Sequence, residues 1–249
     1  MESLIEEAWL LYHRTEGTAC VVRPSIPILF YGDSERYFGS PLKVITVGLN
    51  PSRAEFPDDD PFARFRRAQH VYPEILSGQF SADYIDALNE YFRCHPYRGW
   101  FGSFEPMLNG MGASYYDGQP SAVLHTDLCS PLATNPTWSG LTDDRAKLAV
   151  EGLRLWLRLT RYLAPDVILV SVARQYLSRF DFPLVRDWET IYTIERTNPY
   201  YVEAREIEIT SGKRTLLVFG PASQMPFGKV SNIAKMEIGR RIAGCVHGR

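Results

Sequence analysis

Four short apolar runs, at 44–49, 121–128, 167–172 and 216–219, constrain this 249-residue chain more than any other feature in it. They are dense in Val, Ile and Leu, and too short to be helices of ordinary length. Unbroken runs of this kind suit strands covered on both faces. Helical segments separate them. The pattern predicts an amphipathic helix over 1–16 and helical turns near 81–93 and 104–112. A long helix should run over 143–163, with its apolar face at 148, 149, 153, 156, 157 and 160. A short helix over 173–180 and a closing helix over 230–242 complete the set. Residues 17–42, rich in Pro, Gly and aromatics, read as loops or a short edge strand, and 189–210 as an antiparallel excursion. Strands alternating with helices imply an α/β fold, a three-layer α/β/α sandwich around a four-stranded, mainly parallel central sheet. The expected organisation is a single domain over 1–249, with an N-terminal extension at 1–42 and an insertion at about 55–115.

Composition narrows the class. At 45% hydrophobic and 22% charged, with a formal net charge of -2, the chain has the makeup of a globular protein rather than a disordered one. No stretch approaches the length of a membrane span. The first residues, MESLIEEAWLLYHR, carry acids where a secretory signal needs positive charge, so a cytoplasmic or nucleoid location is expected. Cys20, Cys94, Cys129 and Cys245 lack the close spacing of a metal or cluster site, and no metal or cofactor is expected. The five histidines are scattered. Asp58-Asp59-Asp60 is either a cation site or, with more weight, a solvated loop. Arginine supplies 22 of the 27 basic residues, and a guanidinium fork suits phosphate, so local basic patches matter more here than net charge.

The common α/β signatures are missing. After the first strand stands GLNPSRA, which is neither a dinucleotide fingerprint nor a P-loop, and no G-x-S-x-G elbow occurs. Instead the strands end in Asn50-Pro51-Ser52, in Asp127 followed by Cys129-Ser130-Pro131, and in Gly220-Pro221-Ala222-Ser223. Carboxyl ends of parallel strands converge on one crevice in such sheets.

These three ends carry a resemblance. GLNPS at 48–52 is similar to the first motif of the uracil-DNA glycosylase superfamily, nearest its mismatch-specific and single-strand-selective branches. HTDLCSPL at 125–132 resembles the central strand end of the single-strand-selective branch, and GPAS at 220–223 the closing loop. The match in order and spacing covers roughly 40–243. The resemblance implies that Asn50 positions the attacking water, with Gly48 and Pro51 shaping its loop. It implies that Ser52, where classical uracil enzymes carry Tyr, leaves room beside C5 of the base. Gly220 stands where those enzymes place a His against the departing base.

Asp127 departs from the pattern, which has Asn there. An ionised carboxylate only accepts hydrogen bonds. It repels O4 of uracil and suits the exocyclic amine of cytosine. The alternative for Asp127 is a loop cap or an ion pair with an Arg. His125, two residues earlier on the same strand face, is either a donor in the crevice or a buried structural residue. Phe56 or Phe62 is expected to stack on the extruded base. Arg64, Arg66 and Arg67 are candidates for phosphate contacts, or else a solvated face. Ser223 and nearby amides are candidates for clasping a phosphate, and Gln224, Met225 and Phe227 for the wedge that fills the vacated stack. No lysine falls at a motif strand end, which disfavours a Schiff-base lyase step.

The expectation is therefore a monomeric, monofunctional glycosylase acting on phage or damaged DNA. Its base would be a C5-substituted cytosine, glucosylated forms included; the resembled family contains antiviral defence enzymes that excise phage-specific modified bases. Three alternatives stand beside it: a uracil or thymine mismatch repair enzyme, a non-catalytic DNA-binding module, and an unrelated small-molecule enzyme.

Overall fold

The computed structural model describes residues 1–69, 72 and 82–247. Its sheet has seven strands: β1 (Val44–Gly48), β2 (Ala113–Ser114), β3 (Ser121–Asp127), β4 (Val167–Val170), β5 (Leu184–Ile194), β6 (Tyr200–Thr210) and β7 (Lys213–Phe219), in the order β2-β3-β1-β4-β7-β6-β5. The fold is α/β with a mixed sheet. The four expected strands occupy its contiguous centre as β3-β1-β4-β7. The four-strand count needs correction, because β2 extends one side and the antiparallel pair β6–β5 extends the other.

The centre is parallel where β4 meets its two neighbours, with Val44 opposite Val167 and Val167 opposite Leu216. Every residue of β1 and β4 is buried, as a strand covered on both faces requires. The antiparallel excursion expected at 189–210 is the β5–β6 pair, although β5 begins earlier, at Leu184, and its first residues are exposed.

By internal packing the chain divides into two compact units. The first comprises Met1–Asp33, Gly48–Tyr97 and His125–Tyr162; the second comprises Ser34–Val47, Arg98–Leu124 and Leu163–Arg249. The chain thus passes from the second unit to the first at the carboxyl ends of β1 and β3. The expected insertion is itself divided, at Tyr97/Arg98.

In the first unit, helix α1 (Glu2–Arg14) buries Leu4, Ile5, Ala8, Trp9, Leu11 and Tyr12. Trp9 meets Tyr84 edge-on at 5.6 Å, which ties α1 to α3 (Ala82–Asn89). The expected start of that helix at 81 lies outside the described residues. Helix α6 (Asp143–Leu163) buries four of the six expected positions, 148, 149, 156 and 160, with its inward face turned toward 152, 155 and 159. Leu148, Ala149, Gly152, Leu155, Trp156, Leu159 and Thr160 are buried, while Leu153 and Leu157 are only half-buried. Gly152 sets this register. A methyl group there would stand 2.0 Å from the Cys129 carbonyl oxygen, so this turn of the helix lies directly on the chain after β3. Trp156 donates its indole N–H to Thr126 Oγ1 at 3.0 Å and locks the same face.

In the second unit, α2 (Ser34–Phe38) forms within the segment expected to be loop. Helices α4 (Arg98–Phe101) and α5 (Glu105–Gly110) precede β2, and the expected helix at 173–180 is a 3-10 turn, Arg174–Arg179. The closing helix α7 (Asn232–His247) packs on α5 at glycines: a methyl on Gly239 would lie 2.1 Å from the Met107 carbonyl oxygen. Among the described residues, no helix is long and apolar enough to cross a membrane.

Candidate active site

The chain leaving β1 is zipped to the chain leaving β3. Leu128 N donates to Gly48 O at 3.0 Å, Cys129 N to Leu49 O at 2.8 Å, and Thr134 N to Pro51 O at 3.2 Å. Asn50 sits between these ties, half-buried. Its carboxamide nitrogen donates to Pro51 O (2.7 Å), Leu132 O (3.3 Å) and Thr134 Oγ1 (2.8 Å). Two of those partners are carbonyls, which only accept, so the amide has one orientation. The Thr134 hydroxyl passes its own proton to Pro136 O at 2.9 Å. Among the described residues none donates to Asn50 Oδ1. The side chain is thus anchored through its nitrogen, and its oxygen remains an acceptor.

Ser52 follows Pro51 and has a local task. Its Oγ accepts from Ala54 N at 3.3 Å and caps the 3-10 turn Arg53–Glu55. That turn carries Glu55 inward.

His125 and Asp127 lie two residues apart at the end of β3, 2% and 7% exposed. His125 Nε2 is 3.6 Å from Asp127 Oδ1. Both side chains stand over Gly48, where a methyl group would come within 2.5 Å of Asp127 Oδ1 and 3.0 Å of His125 Nε2. The His125 backbone exchanges hydrogen bonds with Tyr31, and the two rings are 5.4 Å apart. Asp127 also borders a void of about 10 Å³, lined in part by Pro131, Gly152 and Trp156.

Sequence reasoning did not single out Glu55, which is 5% exposed. Tyr91 donates its hydroxyl to Glu55 Oε2 at 2.7 Å, and Arg64 Nε lies 3.8 Å from the same oxygen. Burial pushes the Glu55 carboxyl up to about 7; the Tyr91 bond and Arg64 oppose the rise, and the charge of Asp127 adds to it. Burial likewise raises the Tyr31 hydroxyl well above its ordinary value, with Glu55 and Asp127 contributing. Glu55, Asp127 and Tyr31 therefore form one electrostatically linked cluster. The only local sign of Glu55 was its place at the start of an acidic, aromatic stretch. Thr134 had no sign at all, since its role depends on the return of the chain after β3.

The other expected site residues are placed differently. Phe56 is buried and stacks on Phe65 at 5.3 Å, and Phe62 meets Phe56 edge-on at 6.4 Å, so both belong to an aromatic core that includes Tyr91. Arg64 turns inward on Glu55 and on the carbonyls of Ala54 and His95. Arg66 pairs with Asp60 at 2.6 Å, and Arg67 lies among Asp83, Asp86 and Glu90. All three are thus matched by carboxylates rather than held open for phosphate. Asp58 pairs with Arg53.

In the second unit, the loop after β7 holds Ser223 and Gln224 exposed and Met225 half-buried. Phe227 is 0% exposed, packed edge-on against Phe104 at 5.9 Å, with its N–H donated to Ser171 Oγ at 2.8 Å. As placed, it is a core residue and not a surface wedge. Its ring also fills the space at Gly220, where a methyl group would meet Phe227 Cε1 at 2.4 Å.

No family profile, curated protein or solved structure matches this chain. Among the described residues, no three His, Cys, Asp or Glu side chains form a group able to hold a metal ion.

Proposed function

We propose that this chain is a monofunctional DNA glycosylase. It would act on an extruded, C5-substituted cytosine, glucosylated forms included, and leave an abasic site. The observation that carries the reading is the Asn50 carboxamide, held through its nitrogen by three acceptors with its oxygen left over. A fixed acceptor is what a positioned water needs when orientation counts for more than basicity. In the reaction, the bond between C1′ and the base nitrogen breaks and its electron pair leaves on the base. The water oxygen bonds to C1′, and one proton passes from that water to the surroundings while the base takes one up. Asn50 Oδ1 holds a water hydrogen and so directs the oxygen at C1′.

Asp127 accepts the exocyclic amine of cytosine, as carboxylates do when they read that group. Glu55, with its pKa near 7, keeps a proton in the same cluster around neutral pH. It is the source this reading assigns for the departing base. The void beside Asp127, about 10 Å³, has room for one water. Seating a base there requires neighbouring loops to part. The three-layer arrangement, phage-derived or damaged DNA as substrate source, and a role in defence belong to the same proposal.

The test is an excision assay on labelled oligonucleotides, read by alkaline cleavage at abasic sites. The panel holds uracil, mismatched thymine, cytosine, 5-hydroxymethylcytosine and glucosylated hydroxymethylcytosine, each single- and double-stranded. Cleavage confined to a modified cytosine and lost in Asn50→Ala is expected. Cleavage of uracil instead overturns the assignment of Asp127 but keeps the reaction, and no cleavage of any base overturns the enzyme reading.

A further inference from the structure

A cleft in the second unit borders the loop after β7, with Pro221 of the strand-end segment 220–223 among its lining residues. It has a volume of about 440 Å³ and is formed by the turn between β5 and β6, Pro221 and Lys229. That volume falls in the range of small-ligand sites, roughly 300–1,000 Å³. Three cations line it, Arg174, Arg196 and Lys229, and no carboxylate does.

Their charges are not equivalent. Arg174 pairs with Glu203 and lies over the Phe219 ring at 4.9 Å. Arg196 and Lys229 have no carboxylate within ion-pair distance among the described residues. Arg196 is nevertheless held, because its Nη2 donates to the Lys229 main-chain oxygen at 2.6 Å. Two uncompensated cations thus face one opening on a chain whose formal net charge is -2. Local charge of this kind concentrates anions. Tyr200 is buried and donates its hydroxyl to Pro221 O at 2.7 Å, which makes a fixed wall. Tyr201, 46% exposed, adds an aromatic ring among the lining residues. Cations beside an open aromatic ring are the parts of a single-strand platform: charge for the phosphate, a ring for the base.

We infer that this cleft is a nucleotide subsite that binds a phosphate of a DNA strand through Arg196 and Lys229 and stacks the adjoining base on Tyr201. The inference rests on the reading of DNA as the substrate, but not on any excision chemistry.

The experiment is fluorescence anisotropy with an unmodified, dye-labelled single-stranded oligonucleotide over a series of salt concentrations. The proteins are the full chain and its Arg196→Ala, Lys229→Ala, Arg196→Ala/Lys229→Ala and Tyr201→Ala variants. Arg154→Ala, on an exposed position of α6, controls for loss of one positive charge. Each cation removed from the cleft should lower the slope of log affinity against log salt by about 0.7, and the double variant by about twice that. Tyr201→Ala should weaken binding roughly tenfold with the slope unchanged. Slopes that match the Arg154→Ala control overturn the inference, as does a wild-type chain that does not bind the oligonucleotide. Binding of inorganic phosphate or deoxycytidine monophosphate at the cleft without the oligonucleotide also overturns the strand assignment. Because the probe carries no excisable base, a protein that binds it as expected yet excises nothing fails only the glycosylase reading.

Discussion

Gly48 lies directly under Asp127, so close that a single added methyl group would stand 2.5 Å from the carboxylate oxygen Oδ1. The end of β1 is therefore shaped around the end of β3, and the two buried polar side chains of β3 use the space that a side chain on β1 would take. Gly48→Ala should displace Asp127 and His125 and destabilise the fold by about 1–3 kcal/mol, the usual cost of overpacking. Denaturant unfolding measures the loss. Base discrimination should relax in the same variant, which the oligonucleotide panel reads directly.

Thr134 anchors Asn50 by accepting a hydrogen bond from its carboxamide nitrogen at 2.8 Å. Thr134→Val keeps the shape but removes both the acceptor for the carboxamide nitrogen and the donor to Pro136 O. Excision should fall by about tenfold through kcat, with KM little changed, at a stability cost of about 1–2 kcal/mol. Asn50→Ala should reduce excision by about a hundredfold or more. If the two variants lose activity equally, with equal loss of folded protein, Thr134 is only structural.

Glu55 predicts a pH dependence of stability. Its carboxyl is raised from the ordinary 4.5 to about 7, chiefly by burial, so the folded state holds this proton more tightly than the unfolded chain does. The contribution is complete below about 4.5 and is lost as pH rises toward 7, and stability should fall across that window by up to about 3 kcal/mol. Glu55→Gln should flatten this segment of the curve, measured by urea unfolding at closely spaced pH values. A slope that persists in the variant assigns the effect to another group.

Gly220 carries no side chain because Phe227 and Tyr200 already fill its place, with Tyr200 Oη 2.8 Å and Phe227 Cε1 2.4 Å from where a methyl would be. Gly220→His, which introduces the histidine that the enzymes resembled by the strand-end motifs carry at this place, should not raise activity. It should lower the melting temperature by several degrees, equivalent to about 1–3 kcal/mol. A stable, faster variant would show that this loop rearranges to admit the ring.

The sequence by itself determined the central strands and most of the helices. Strands buried on both faces need continuous β-branched and aliphatic runs, and VITV, VILV and TLLVF announce themselves locally. The end of β1 at Gly48-Leu49-Asn50 and the placement of His125 and Asp127 on one face follow from that same local pattern, because alternate residues of a strand point the same way. The outer strands were legible only in outline: the antiparallel excursion at 189–210 is the β5–β6 pair, but the start of β5 at 184–187 is exposed and lacks an inward face.

Only the tertiary structure decided what depends on partners far along the chain. The spacing placed 148, 149, 156 and 160 of α6 inward, but the close approach of Gly152 to the Cys129 backbone and the burial of Leu155 and Leu159 in place of Leu153 and Leu157 came from packing. Arg64, Arg66 and Arg67 read as a basic cluster in sequence and are matched in space by acids up to 23 residues away. Phe227 has the composition of a loop wedge and the burial of a core residue. Glu55 is one acid among several until Tyr91 and the aromatic core close over it. Desolvation then changes its chemistry, because the cost of a buried charge depends on what surrounds it and not on what precedes or follows it in the chain.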